Sequence, residues 1–120
     1  MKITKIQGTN MELTDAIRGR VEKRVAVLAK LVKRVQPATV DVEVGKPSDH
    51  HKKGDVYYAE MNANINGEHM RAESTSDDLY RAIDEVQKEL RRQILNWRKK
   101  NKRKVKEEGR SFKDMLRFGR

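Results

Sequence analysis

The chain has 120 residues, no cysteine, and 28 Lys and Arg against 18 Asp and Glu, a formal net charge of +10. That length suits one domain with a single modest core. The missing thiols exclude disulfides, thiolate chemistry and cysteine-ligated zinc, and the lack of any bilayer-length or signal-length apolar run predicts a cytoplasmic protein with no membrane partner.

Residues 2–7 read as a short strand carrying Ile3 and Ile6, followed by turn chemistry at Gly8-Thr9-Asn10. Thr14 suits a helix N-cap, and Asp15 behind it complements the helix dipole. Ile17, Val21, Val25, Leu28, Val32 and Val35 then recur every three or four residues. That spacing predicts one amphipathic helix, stopped by Pro37. Val40, Val42 and Val44 alternate with Asp41 and Glu43, a half-buried strand. Residues 45–54 form a polar loop.

Residues 56–65 alternate again, with Tyr57, Ala59, Met61, Ala63 and Ile65 on one face. Asn66-Gly67 is a strong hairpin signal. A two-residue loop there pairs Ile65 with Glu68, Asn64 with His69, Ala63 with Met70, Asn62 with Arg71 and Met61 with Ala72. Apolar then meets apolar and polar meets polar, so the register is self-consistent. Ser74-Thr75-Ser76 ends the sheet, with Ser76 as the expected N-cap of a second helix. Leu79, Ile83, Val86, Leu90, Ile94 and Trp97 form its apolar stripe. A cationic run follows, and Phe112, Met115 and Leu116 stand at helical spacing near the end.

The expected fold is therefore α+β, in the order β-α-β-β-β-α. Two helices pack on one face of a four-stranded antiparallel sheet, and the other face is wet. Double-stranded-RNA-binding domains share the core of this arrangement. Residues 1–100 make the domain, and residues 101–120 a basic, flexible tail.

The cations cluster on the helices, and so many like charges on a small domain call for a polyanion such as nucleic acid. On the first, Arg20, Lys23, Arg24, Lys30 and Arg34 lie beside the apolar stripe. On the second, Arg81, Lys88, Arg91, Arg92 and Lys99 lie away from it, and Arg98 and Lys100 add to the densest charge. Asp84 sits among them, within reach of Lys88 and able to neutralise part of its charge. With both helices on one sheet face the two stripes merge into a surface that tracks phosphates and reads shape. Tyr80 and Trp97 are assigned to packing, so base-stacking platforms are not expected.

Other constellations are weak. His50-His51 lies in a polar loop without metal-site spacing. Glu60 faces Glu73 across the hairpin, a carboxylate pair with no accompanying nucleophile. No glycine-rich phosphate loop is present. The expectation is a protein that is not an enzyme and takes no metal, cofactor or small-molecule substrate.

Several stretches resemble the ribosome hibernation-promoting factors and the related ribosome-associated inhibitors. These are Ile3-x-x-Ile6-x-Gly8 with Glu12-Leu13-Thr14-Asp15-Ala16-Ile17-Arg18, the run from Arg71 to Asp84, and Leu90-Arg91-Arg92-Gln93. The likeness covers roughly residues 1–100. It implies the fold above, and binding as a monomer to ribosomal RNA in the decoding region of the small subunit, where messenger RNA and the A- and P-site transfer RNAs are occluded. It matches Arg24 and Arg92 to basic positions of the family. Leu79 replaces a common methionine, and Glu89 stands where lysine is frequent, with Lys88 one place earlier. Long members carry a further domain that pairs ribosomes, so this resembles a short, single-domain form. The competing readings are a general binder of structured or double-stranded RNA, such as a chaperone, and a protein-docking module using Phe112, Met115, Leu116 and Phe118.

Overall fold

A computed structural model describes residues 1–47 and 56–102. The elements are β1 (Lys2–Thr9), α1 (Asp15–Ala29), β2 (Ala38–Gly45), β3 (Tyr57–Ile65), β4 (Glu68–Ser76) and α2 (Leu79–Lys100). The expected β-α-β-β-β-α order is present. His50, His51 and all of the tail beyond residue 102 lie outside the described residues.

The strands form one sheet in the order β1-β2-β3-β4. The β3–β4 hairpin has the register that its side-chain pattern dictates, from Ile65 opposite Glu68 through Met61 opposite Ala72 to Glu60 opposite Glu73. Asn66 and Gly67 both take positive φ, 53° and 87°. That is the pairing a tight two-residue hairpin turn demands, and it explains Asn-Gly there. The sheet is mixed and not wholly antiparallel, because β1 pairs parallel to β2. A parallel neighbour needs a long crossover, and α1 supplies it.

β1 also slips register between Ile3 and Lys5. Ile3 and Ile6 are three residues apart, so a regular strand would point them to opposite faces. The extra residue in β1 lets Ile3 pair with Val40 and Ile6 with Val42, and both pack against the core.

Both helices bury their stripes in one core with the inner faces of β2, β3 and β4. Val21, Leu28, Val40, Met61, Ile65, Ile83, Leu90 and Ile94 are fully buried. Each such side chain contributes about 1.5–3 kcal/mol relative to exposure. Ile17, Val25, Val32 and Val35 of the first stripe are buried too. The α-helix itself stops at Ala29, before Pro37, and tightens into a 3-10 turn over Lys30–Val32. A tighter last turn is a common way to end a helix, and it keeps Val32 and Val35 in the core while the chain swings into β2.

Thr14 caps α1 as expected, its hydroxyl accepting from the Ile17 amide at 3.2 Å. Ser76 does not cap α2. It remains in β4 opposite Tyr57, and Asp78 takes the role by accepting from the Tyr80 amide at 3.0 Å. Trp97 closes the far end of the core, and the Asn101 amide and side chain both donate to its carbonyl. No helix among the described residues is long and apolar enough to cross a membrane.

Candidate nucleic-acid interface

Alternation fixes what the outer sheet face carries. Lys2, Lys5 and Arg71 lie there with Asp41, Glu43, Glu60 and Glu73. Arg71 donates to Glu60 at 2.8 Å and to Glu73 at 2.9 Å, and Asn62 donates to Glu60 at 2.9 Å. The Arg71 and Asn62 bonds hold the Glu60 carboxyl below the usual carboxylate range. A general acid needs the opposite shift, so Glu60 and Glu73 are an ion-paired cluster around Arg71. His69 is exposed opposite Asn64. The positive and negative charges of this face nearly cancel.

The helix face differs. Arg20 and Arg24 reach from α1 onto a single carboxylate of α2. Arg20 donates from Nε and Nη2 to Asp84 at 3.2 and 3.0 Å, and Arg24 donates from Nε at 2.7 Å. The Arg20 guanidinium also stands 5.5 Å from the centre of the Tyr80 ring, within cation–π range. The order of these contacts is the same along both helices, so α1 and α2 run side by side in one direction. Asp84 is thus engaged across the helix pair, and it makes no ion pair with Lys88 among the described residues.

At about 100° per residue, Lys23 lies about 60° from Arg20 towards the outer crest of α1, while Lys30 in the 3-10 turn and Arg34 in the turn after it follow the helix. On α2, Arg91 and Arg98 share the flank of Tyr80 and Asp84, while Lys88 lies nearer the outer crest and, after the Ser74 and Arg81 bonds, helps to hold the Glu85 carboxyl below its ordinary range. Lys23, Lys30, Arg34, Lys88, Arg91, Arg98, Lys99 and Lys100 are exposed and make no ion pair among the described residues. The seam between the helices is therefore bordered by cations from both sides. Lys99 lies near the outer crest of α2.

Lys100 falls on the opposite flank of α2, towards β4, and Arg92 lies just past the crest on that side. Arg92 is held by Glu89, with Nη2 2.6 Å from the carboxylate, and does not join the seam. The Arg92 and Gln93 bonds hold the Glu89 carboxyl below its ordinary range. The same flank has Glu85 accepting from Ser74 at 2.7 Å and from Arg81 at 3.2 Å, and Gln93 donating to the Arg71 carbonyl at 2.8 Å.

Tyr80 is the residue that the sequence pattern misassigned. It is 39% exposed, whereas Trp97 is buried. Its position on the α2 wheel, about 100° from Leu79, was the available signal. No cluster of His, Asp or Glu suited to a metal ion occurs among the described residues.

Residues 4–105 match the family described as Sigma 54 modulation protein / S30EA ribosomal protein. A ribosome hibernation promotion factor of Lactococcus lactis subsp. cremoris is 34% identical over 99 residues, 82% of this chain and 51% of that protein. One from Staphylococcus aureus is 32% identical over 104 residues, 87% of this chain and 52% of that protein. The chain spans about half the length of these relatives. Among solved structures, the Thermus thermophilus Protein Y N-terminal domain superposes with a TM-score of 0.70 at 32% identity, covering 82% of this chain and all of that one. A ribosomal subunit interface protein from Coxiella burnetii shares the fold, with a TM-score of 0.67 at 18% identity over 82% of this chain and 98% of that one.

Proposed function

Because the chain belongs to the Sigma 54 modulation protein / S30EA ribosomal protein family, we propose that it is a ribosome hibernation factor that acts by occupancy. In this reading the α1–α2 face enters the decoding region of the small subunit as a monomer and lies against ribosomal RNA phosphates. Messenger RNA and the A- and P-site transfer RNAs are thereby kept out. No bond is made or broken, so the protein silences idle ribosomes in the cytoplasm as a plug and not as an enzyme. Residues 1–100 form the binding unit, and Arg20, Lys23, Arg24, Lys30, Lys88, Arg91 and Arg98 are its phosphate contacts.

The observation that carries the reading is the bond of Arg20 and Arg24 to Asp84, which joins the two basic flanks into one surface. A continuous cationic surface with a single exposed aromatic follows phosphate geometry and gives salt-dependent binding. The test is sedimentation of the purified chain with small subunits and whole ribosomes at low salt. It should travel with them and be displaced by transfer RNA. A protein that stays at the top of the gradient, or that bulk duplex RNA strips off as readily as transfer RNA does, overturns the proposal.

A further inference from the structure

Asp84 is an acidic residue in the middle of a surface read as anion-binding, where simple charge counting makes it a liability. Its geometry argues otherwise. Asp84 Oδ1 accepts from Nε of both Arg20 and Arg24, and Oδ2 accepts from Nη2 of Arg20. These bonds use the inner edge of each guanidinium. The outer edge, formed by the two terminal nitrogens, keeps hydrogens with no acceptor among the described residues. Such an edge matches a phosphate oxygen pair. The Tyr80 ring, 5.5 Å from the Arg20 carbon, adds a cation–π contact to the same guanidinium. All three side chains of the triad are about a third exposed or less, so the arrangement lies at the surface and not in the core.

We propose that Asp84 is a positioning residue that holds Arg20 and Arg24 as a two-armed clamp for a backbone phosphate of structured RNA, so that removing this negative charge weakens RNA binding. Two long side chains lose much of their rotamer freedom when they bind a ligand, and Asp84 has already ordered them. Against this stands the attraction gained when a carboxylate leaves the surface, which is small because exposed charges are screened. Ordering two arginines outweighs one screened charge. The inference rests on the reading of the helix face as RNA-binding.

The experiment measures the affinity of the full chain for isolated small subunits across a potassium chloride series. It compares the wild type with Asp84→Asn, Asp84→Glu, Arg20→Ala/Arg24→Ala, and the triple variant combining Asp84→Asn with both arginine changes. Melting curves accompany each. Asp84→Asn should bind about 3- to 10-fold more weakly, with a salt slope moved towards that of the arginine double variant. Asp84→Glu should recover part of the loss. In the arginine-less background Asp84→Asn should cost nothing more. Binding by Asp84→Asn that equals or exceeds the wild type overturns the inference. So does a loss that persists without the two arginines. If Asp84→Asn melts below the assay temperature, the series is repeated below that melting point, where binding equal to the wild type's overturns the inference. A wild type that binds no subunits sinks the proposed function instead, so the two failures are distinct.

Discussion

Glu89 and Arg92 form a two-point ion pair one turn apart on α2, with contacts of 2.6 and 3.1 Å, while Asp84 five residues earlier reaches across to α1. Both carboxylates engage arginines, but to opposite effect. Asp84 gathers two guanidiniums at the seam. Glu89 turns one aside towards β4. Glu89→Gln should therefore release Arg92 and tighten binding to ribosomal RNA by about 2-fold, the scale of one exposed pair. Filter binding at fixed salt checks this. The same change of charge at positions 84 and 89 is expected to act in opposite directions.

The flank assignments on α2 make a second contrast. Arg91→Ala/Arg98→Ala should lower the salt slope of binding by about 1–2 and weaken association across all RNA sequences alike. Arg92→Ala should change the slope much less, because Glu89 already neutralises that side chain. Equal effects from the two variants would show that the seam is not the contact surface.

Two glycines respond oppositely to alanine. A Cβ on Gly45 would stand 2.1 Å from the Thr9 carbonyl oxygen, where β1 and β2 close on each other. Gly45→Ala should destabilise the fold by about 1–3 kcal/mol and loosen the end of β1. Gly19 lies inside α1 with nothing within 4 Å of an added Cβ. Gly19→Ala should stabilise by about 0.5–1 kcal/mol through helix propensity. Urea denaturation of both variants reads the difference in sign.

Acid stability follows from Glu60. Its carboxyl is held below the ordinary range by the Arg71 and Asn62 bonds. A group depressed in the folded state contributes stability at pH values above its unfolded pKa, about 4.3, and loses it as pH falls through the folded value. This contribution should be flat from neutral pH to about 5 and decline below about 4. Glu60→Gln should remove part of the decline and cost less than about 1 kcal/mol at pH 7. Melting temperatures across pH 2–7 test this.

The β3–β4 register was legible because side-chain period and turn chemistry point to the same pairing, and a one-residue slip would bury Asn62 and Asn64. Both apolar stripes were legible for the same reason. The parallel pairing of β1 was not, since a six-residue run with Ile3 and Ile6 out of phase carries no direction and hides its bulge. The cap of α2 was misplaced from Asp78 to Ser76 because Ser, Asp and Asp in succession all satisfy the same local preference, and only the length of β4 decides between them. Of the cations expected on the helices, Arg20, Lys23 and Arg24 lie on α1 and Lys88, Arg91, Arg92, Arg98, Lys99 and Lys100 on α2, but Lys30 and Arg34 fall beyond the end of α1, because the chain tightens and turns before Pro37. Their partners were not legible, because Asp84 meets Lys88 by sequence spacing but Arg20 and Arg24 by tertiary contact.

The near-cancellation of charge on the outer sheet face has a kinetic consequence. With the excess cations displaced to one side, the described domain carries a permanent electric dipole along the sheet–helix axis. In the field of a polyanion such a body experiences torque before it experiences contact, and it arrives helices first. On the proposed docking through the helix face, orientation is then settled during diffusion and each collision begins close to the bound geometry.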